Sequence, residues 1–135
     1  MGSSIIHELG DPEGFAVVCH NGTPCSRLLP EWWDAPARER GLRMIGIDRA
    51  GYGNAPAEPD RSLRSVAEST AALMDELGVD RFALIGTSGG GPYALACGAF
   101  LSERVVGGHL RRGQFWVRQG HRWRRLRSRG AGADP

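Results

Sequence analysis

Three short segments in the first hundred positions are apolar at nearly every position and show no alternation: residues 15–20, 44–48 and 82–85. Glycine-rich, proline-rich or charged segments separate the runs. A strand without apolar–polar alternation is typical of a parallel sheet whose two faces are both covered. Each run therefore predicts a buried parallel strand.

Two weaker segments predict further strands beside these three. Residues 4–9 are a short mixed stretch closed by a turn that contains glycine and proline, which indicates an edge strand. Another core strand is expected to begin at Arg104 and to continue to Val106.

Helical periodicity lies between the strands. After Ser62, a favoured N-cap residue, apolar positions recur at 3.6-residue spacing until Gly78, which is expected to end the helix. Helices are also predicted over residues 27–40 and over residues 92–101, with Pro92 in the first turn of the latter. Strands alternating with helices predict the α/β class, with a mostly parallel sheet and flanking helices.

The pattern stops after Val106. Residues 107–135 show neither alternation nor helical period. From residue 108 to the last residue, eight arginines stand against one acidic residue, whereas residues 1–107 contain nine arginines and fourteen acidic residues. We therefore expect one domain over residues 1–106 and an Arg/Gly-rich tail over residues 107–135 that is poorly ordered or frameshifted.

Two explanations of this tail stay open. Arginines interleaved with Trp116 and Trp123 suit a nucleic-acid-binding extension, because they can contact phosphates and stack on bases. Alternatively, a frameshift in G- and C-rich DNA would change the encoded sequence abruptly to one rich in Arg, Gly, Trp and Ala. We favour the frameshift, so nucleic acid is not an expected partner.

Length and composition narrow the class of protein. A chain of 135 residues suits a single domain, and no apolar run approaches the roughly 18–20 residues that cross a membrane. No leader is recognisable, so we expect a cytoplasmic protein that does not bind membranes. Cys19, Cys25 and Cys97 fit neither a disulfide framework nor a metal-ligand spacing, so no metal or cofactor is expected.

One motif points to chemistry: residues 86–90 have the form Gly-x-Ser-x-Gly, with Ser88 at its centre. It lies between a predicted strand and a predicted helix, where a tight turn would lift the serine hydroxyl off the sheet edge. Gly86 and Gly90 would support that turn, because a β-carbon there would clash. The alternative, a phosphate-binding loop, lacks the Gly-Lys-Ser/Thr ending. Ser88 is therefore predicted to be a nucleophile.

Three blocks together resemble the Gly-x-Ser-x-Gly branch of the α/β-hydrolase family, over roughly residues 4–106. Residues 21–24 are similar to its His-Gly-x-Pro turn, with Gly22 in the matching place, and residues 48–53 to its Asp-x-x-Gly-x-Gly turn, which we interpret as structural. The resemblance implies that the N–H groups of Thr23 and Gly89 form an oxyanion hole beside Ser88. Two departures, Asn21 for His and Ala55 for Ser, weaken the assignment to a subfamily.

The resemblance implies a serine hydrolase for a small carbonyl substrate such as an ester or lactone. Esterase, peptidase, acyltransferase and C–C hydrolase activities remain open. A serine argues against the related epoxide hydrolases and haloalkane dehalogenases, which use aspartate at that turn.

The family's acid and histidine come late in the chain, and we recognise neither here. We therefore expect a truncated, inactive chain. His20 is an alternative base, although a packed histidine is the favoured interpretation, and His109, His121 and Asp134 in the tail are weaker candidates. The interrupted sheet also predicts an exposed edge on the strand that begins at Arg104, and self-association through that edge.

Overall fold

The computed structural model describes residues 5–110, 114–119 and 122–127, with the last two ranges described by backbone alone. Within these ranges seven strands form one sheet in the order β1-β3-β2-β4-β5-β6-β7. Three α-helices accompany the sheet, and the bounds of all ten elements are β1 Ile6–Gly10, β2 Phe15–His20, α1 Asp34–Glu39, β3 Leu42–Ile47, α2 Leu63–Glu76, β4 Phe82–Gly86, α3 Gly91–Phe100, β5 Val105–Leu110, β6 Gln114–Gln119 and β7 Arg122–Arg127.

The centre of the sheet is parallel, as the apolar runs predict. Strand β2 pairs parallel with β3 and β4, and β4 pairs parallel with β5. Strand β1 lies at one edge and runs antiparallel to β3, which agrees with its prediction as an edge strand. The α/β class with a mostly parallel sheet is confirmed.

Both faces of the sheet are covered, which explains why the central strands do not alternate. On one face, Val18 and Ile45 pack in a core with Met74 of α2 and Ala94 of α3. On the other face, Val17 and Met44 pack with Ala37 of α1. Burial on both faces favours apolar side chains at consecutive strand positions. No helix in the described residues is long and apolar enough to cross a bilayer.

Helix α2 has the ends that the sequence predicts. The Ser62 hydroxyl accepts a hydrogen bond from the Ser65 N–H at 3.0 Å, and the Ser65 hydroxyl accepts one from the Ser62 N–H at 2.8 Å. This reciprocal pair satisfies two N–H groups that the first turn leaves without helical partners. Just beyond the helix, Gly78 has φ +69°, a conformation that glycine adopts without strain.

The helix predicted over residues 27–40 is wrong at its start, because residues 27–30 are not helical. Regular helix is confined to α1 and a preceding 3₁₀ turn at Glu31–Trp33. The backbone N–H of Arg27 donates to the Asp48 carboxylate and that of Leu29 donates to His7 Nδ1, so distant side chains hold this segment in an extended loop. Pro30 follows the loop and contributes no N–H donor of its own.

The structure also differs from the expectation for the tail at its described residues. Strand β5 continues to Leu110, β6 pairs antiparallel with β5, and β7 pairs antiparallel with β6. Because β6 lies along residues 107–110, the expected exposed edge on that part of β5 is wrong. The remainder of residues 107–135 lies outside the described residues, and the domain boundary at residue 106 stays a prediction.

Candidate active site

Ser88 lies in a tight turn between β4 and α3, and its side chain is exposed. Its φ is +48°, and in the described residues it is the one non-glycine residue with a positive φ. Two backbone hydrogen bonds close the turn: Thr87 N–H donates to the His20 carbonyl at 3.1 Å, and Gly90 N–H donates to the Thr87 carbonyl at 2.8 Å. A serine strained in this way between strand and helix has the geometry of a nucleophile turn.

The glycines of the motif are required by close packing. A β-carbon at Gly90 would overlap the His20 carbonyl oxygen. A β-carbon at Gly86 would lie 2.8 Å from both the Ala94 β-carbon and the Gly91 α-carbon. Real β-carbons do not approach other atoms so closely, so these two positions tolerate no larger residue without a shift of the backbone.

The turn after β2 lies directly against the Ser88 turn. A β-carbon built on Gly22 would be 3.4 Å from the Ser88 β-carbon, and one built on Gly89 would be 3.1 Å from the Thr23 backbone nitrogen. Two blocks that are more than sixty residues apart in sequence are therefore adjacent in space. The structure brings Ser88, Gly89, Gly22 and Thr23 together, as the resemblance predicts.

Side chains hold the turn after β2 in place. The Asn21 side-chain amide donates to the carbonyls of Ser26 at 2.8 Å and of Leu28 at 3.2 Å, closing the loop that follows. The Asn21 carbonyl in turn accepts from Nη1 of Arg49 at 2.7 Å. The asparagine that replaces the family's histidine thus organises its own loop.

The Asp48 block joins three segments. Its fully buried carboxylate accepts from the Arg27 backbone N–H at 2.6 Å, from Arg27 Nη1 at 2.9 Å and from the Asn54 backbone N–H at 2.9 Å. Gly53 has φ +54°, and a β-carbon there would overlap the carboxylate. These contacts support the structural interpretation of this turn.

Arg49 is a buried residue beside the candidate site, and the sequence does not predict its burial. It is 4% exposed, and its guanidinium carbon lies 4.7 Å from the ring centre of Tyr93 and 5.6 Å from that of Tyr52. Burial lowers the pKa of this guanidinium, and the two tyrosines act in the opposite direction. An arginine after an aspartate in a glycine-rich loop gives no sequence signal that it will be buried.

His20 has the environment of a packed histidine. Its Nε2 lies 3.4 Å from Thr70 Oγ1 on α2 and 3.6 Å from Cys97 Sγ on α3. Burial, and then the charge of Arg49, lower its pKa from 6.5 to about 3. A ring that stays neutral down to such a pH is a poor general base, so the structure argues against this role for His20.

The other candidate bases are not brought to the serine by any contact in the described residues. His109 is half-buried on β5, where its register partner on β4 is Ile85. His121 and Asp134 lie outside the described residues. Within those residues no side chain hydrogen-bonds to the Ser88 hydroxyl, and no cluster of three metal-ligating side chains occurs.

The lowered pKa of His20 predicts that acid destabilises the fold. Between about pH 3 and pH 6.5 the unfolded chain binds a proton at His20 that the folded chain excludes, so the free energy of unfolding decreases as pH falls through this window. The slope from this group is at most about 1.4 kcal/mol per pH unit. Urea unfolding between about pH 7 and pH 5 measures it, and His20→Gln should flatten the curve. An equal slope in wild type and variant would contradict the assignment.

The sequence profile of a family described as alpha/beta hydrolase fold matches residues 16–132. The match continues past residue 106, where we expected the resemblance to end. No curated protein sequence matches this chain.

Solved structures of hydrolases have the same fold. A meta-cleavage product hydrolase from Pseudomonas fluorescens is 25% identical with a TM-score of 0.65, over 80% of this chain and 43% of that one. An esterase from Thermogutta terrifontis is 28% identical with a TM-score of 0.63, over 78% and 38% of the two chains. An epoxide hydrolase from Vigna radiata is 26% identical with a TM-score of 0.60, over 78% and 33%.

This chain therefore spans less than half the length of each of these structures. The family profile nevertheless covers most of the sequence. The chain belongs to the alpha/beta hydrolase fold family.

Proposed function

We propose that this chain is the front part of a serine hydrolase in which Ser88 attacks a carbonyl carbon. The observation that carries the proposal is the strained, exposed Ser88 with the Thr23 and Gly89 backbones beside it. In the proposed reaction the Ser88 oxygen bonds to the carbonyl carbon and loses its proton to a base, the ester alkoxide leaves as an alcohol with that proton, and water then hydrolyses the acyl-serine. The N–H groups of Thr23 and Gly89 donate to the oxyanion that develops on the substrate. Gly22, Gly86 and Gly90 leave room for this arrangement.

The proposed substrate is a small ester, lactone or related carbonyl compound. The fold alone does not select the reaction, since the esterase, the meta-cleavage product hydrolase and the epoxide hydrolase named above share it. Serine at position 88 supports acyl chemistry, because the resemblance associates epoxide opening with aspartate at this turn.

A complete reaction also needs a general base to accept the serine proton. His20 cannot serve, because its ring contacts Thr70 and Cys97 and its pKa is lowered to about 3. We propose that this chain by itself holds the nucleophile and the anion-binding backbone but does not turn over substrate. In the whole hydrolase, residues outside the described ranges would supply the base and its acid partner.

A fluorophosphonate probe tests the role of Ser88. At about pH 9 hydroxide replaces the missing base, so slow phosphonylation should occur selectively at Ser88, where the N–H groups stabilise the charged transition state. Intact-mass analysis followed by peptide mapping should show one adduct, and Ser88→Ala should remove it.

Ser69→Ala is the matched control, since Ser69 is an exposed serine on α2 whose hydroxyl donates to the Ser65 carbonyl. This variant should be labelled at the wild-type rate. Labelling spread evenly over several serines, or unchanged in Ser88→Ala, would disprove the nucleophile assignment.

Self-association and a cytoplasmic location stay predictions, and a non-catalytic fragment that binds nucleic acid through its tail stays the alternative function. The exposed edge of β5 that suggested self-association is absent along residues 107–110, because β6 pairs with β5 there. The described edges of the sheet are β1 and β7.

A further inference from the structure

A cavity of about 290 Å³ lies between α2, the end of β3 and the loop that follows β3. Ser88, Thr23 and Gly89 are not among its lining residues, so it is separate from the candidate active site. Its walls combine apolar and polar side chains. The apolar ones include Ile47, Val66 and Leu73, and the polar ones include His20, Arg49 and Thr70. We call it the Arg49 cavity.

The guanidinium of Arg49 has one edge without hydrogen bonds. Nη1 donates to the Asn21 carbonyl, whereas Nε and Nη2 are buried and have no hydrogen-bond partner. Nε and Nη2 lie on one side of the planar group, and their N–H bonds are parallel. This pair of donors matches the two oxygens of a carboxylate.

Among the described residues Arg49 contacts the rings of Tyr52 and Tyr93, but no carboxylate pairs with its charge. The neighbouring Asp48 carboxylate is committed to Arg27 and to the Asn54 N–H. Glu58 and Glu76 line the cavity too, but both are exposed, so water screens them. A buried cation without an anion is costly, and a bound carboxylate would remove that cost.

A second residue that lines the cavity, His20, also has a buried polar atom without a hydrogen-bond partner. Nδ1 of His20 has none, whereas Nε2 faces Thr70 and Cys97. In the tautomer with the proton on Nδ1, the Cys97 thiol donates to Nε2, and Nδ1–H is left to donate to an anion. Buried polar groups in proteins are usually satisfied, so two unpaired sites in one cavity point to a missing acceptor.

We infer that the Arg49 cavity binds a small monocarboxylate with a compact apolar body. The carboxylate pairs with Nε and Nη2 of Arg49, and the body packs among Ile47, Val66 and Leu73. The volume is at the lower end of the range for small-molecule sites, which suits a ligand the size of one six-membered ring. The inference does not use Ser88 and stands whether or not the proposed hydrolase function is correct.

Benzoate is a suitable probe, with benzamide as an uncharged control of the same shape. Titration calorimetry of the full chain at about pH 7 and low salt should show saturable benzoate binding at one site. Benzamide should bind about tenfold more weakly or worse, because it cannot supply the negative charge to Arg49. Ser88→Ala should bind benzoate as the wild type does.

Two arginine variants separate the paired N–H donors from general charge. Arg49→Lys keeps the positive charge but loses the parallel N–H pair, so benzoate affinity should fall about tenfold or more. Arg61→Lys is the matched control: Arg61 also lies over Tyr52 and Tyr93, yet it donates to the Ala50 carbonyl and does not line the cavity. Its affinity should remain that of the wild type.

A third variant protects the test against misfolding of Arg49→Lys. Ala55 is half-buried in the loop that lines the cavity, so Ala55→Phe should fill the space and abolish binding while Arg49 stays intact. Circular dichroism confirms that each variant is folded. Absence of benzoate binding to the wild type, equal binding of benzamide, or undiminished binding in folded Ala55→Phe would each overturn the inference.

Discussion

The purified chain is expected to hydrolyse an activated ester such as p-nitrophenyl acetate at close to the uncatalysed rate. A serine hydroxyl is a weak nucleophile unless a neighbouring base takes its proton, and loss of the histidine of a catalytic triad costs around a millionfold in rate. In the described residues the Ser88 hydroxyl has no hydrogen-bonded base. The rate should therefore be nearly the same in wild type and in Ser88→Ala.

The assay is spectrophotometric release of nitrophenolate at about pH 7, with a buffer blank and the Ser88→Ala variant measured in parallel. Turnover at ordinary enzyme rates that Ser88→Ala abolishes would show that the chain does hold a base. His109 and His121 would then be the first residues to replace.

Asp48→Ala is expected to cause the largest loss of stability among single substitutions near the site. The change removes a fully buried carboxylate and leaves the Arg27 guanidinium and two backbone N–H groups without their acceptor. Breaking a buried pair from one side costs roughly 3–5 kcal/mol, and the partial exposure of Arg27 places the expected loss at about 2–4 kcal/mol. Urea unfolding monitored by tryptophan fluorescence measures the difference.

Asp60→Ala serves as the control, since Asp60 is exposed in the loop before α2. Its unfolding free energy should lie within about 0.5 kcal/mol of the wild-type value. If both aspartate variants lost the same small amount, the Asp48 carboxylate would not be holding the loops together.

The parallel core could be predicted because a strand that is buried on both faces is apolar at consecutive positions. Strand β2 is apolar at nearly every position, and the structure places its residues in cores on both faces of the sheet. Helix α2 was equally predictable, since its cap at Ser62 and its stop at Gly78 are local signals. In contrast, the course of residues 27–30 is set by Asp48 and His7, which no local pattern reveals.

The tail strands were missed for a related reason. In the sequence of β7 the apolar residues Trp123 and Leu126 are three positions apart, so they do not show the apolar–polar alternation that predicts a strand. Strand β7 is held by pairing with β6, and an arginine-rich sequence gives no local signal that predicts such pairing.

The motifs predict which residues of the candidate site lie close together, whereas their roles in catalysis stay predictions. Ser88, Gly89, Gly22 and Thr23 were named from sequence, and the structure brings them together. The Arg49 cavity was not predictable, because its character depends on which donors remain unpaired after Asn21 and the two tyrosines have taken their positions.

The antiparallel pairing of β6 with β5 bears on any attempt to rebuild the proposed hydrolase from two polypeptides. Because β6 pairs with residues 107–110 of β5, a second polypeptide that adds a strand to this side of β5 would have to displace β6. Reconstitution would therefore proceed by strand displacement, with association limited by how often the β6–β7 hairpin detaches. A shortened version ending at Leu110 would present β5 directly, and would be the better partner for such a split-enzyme assembly.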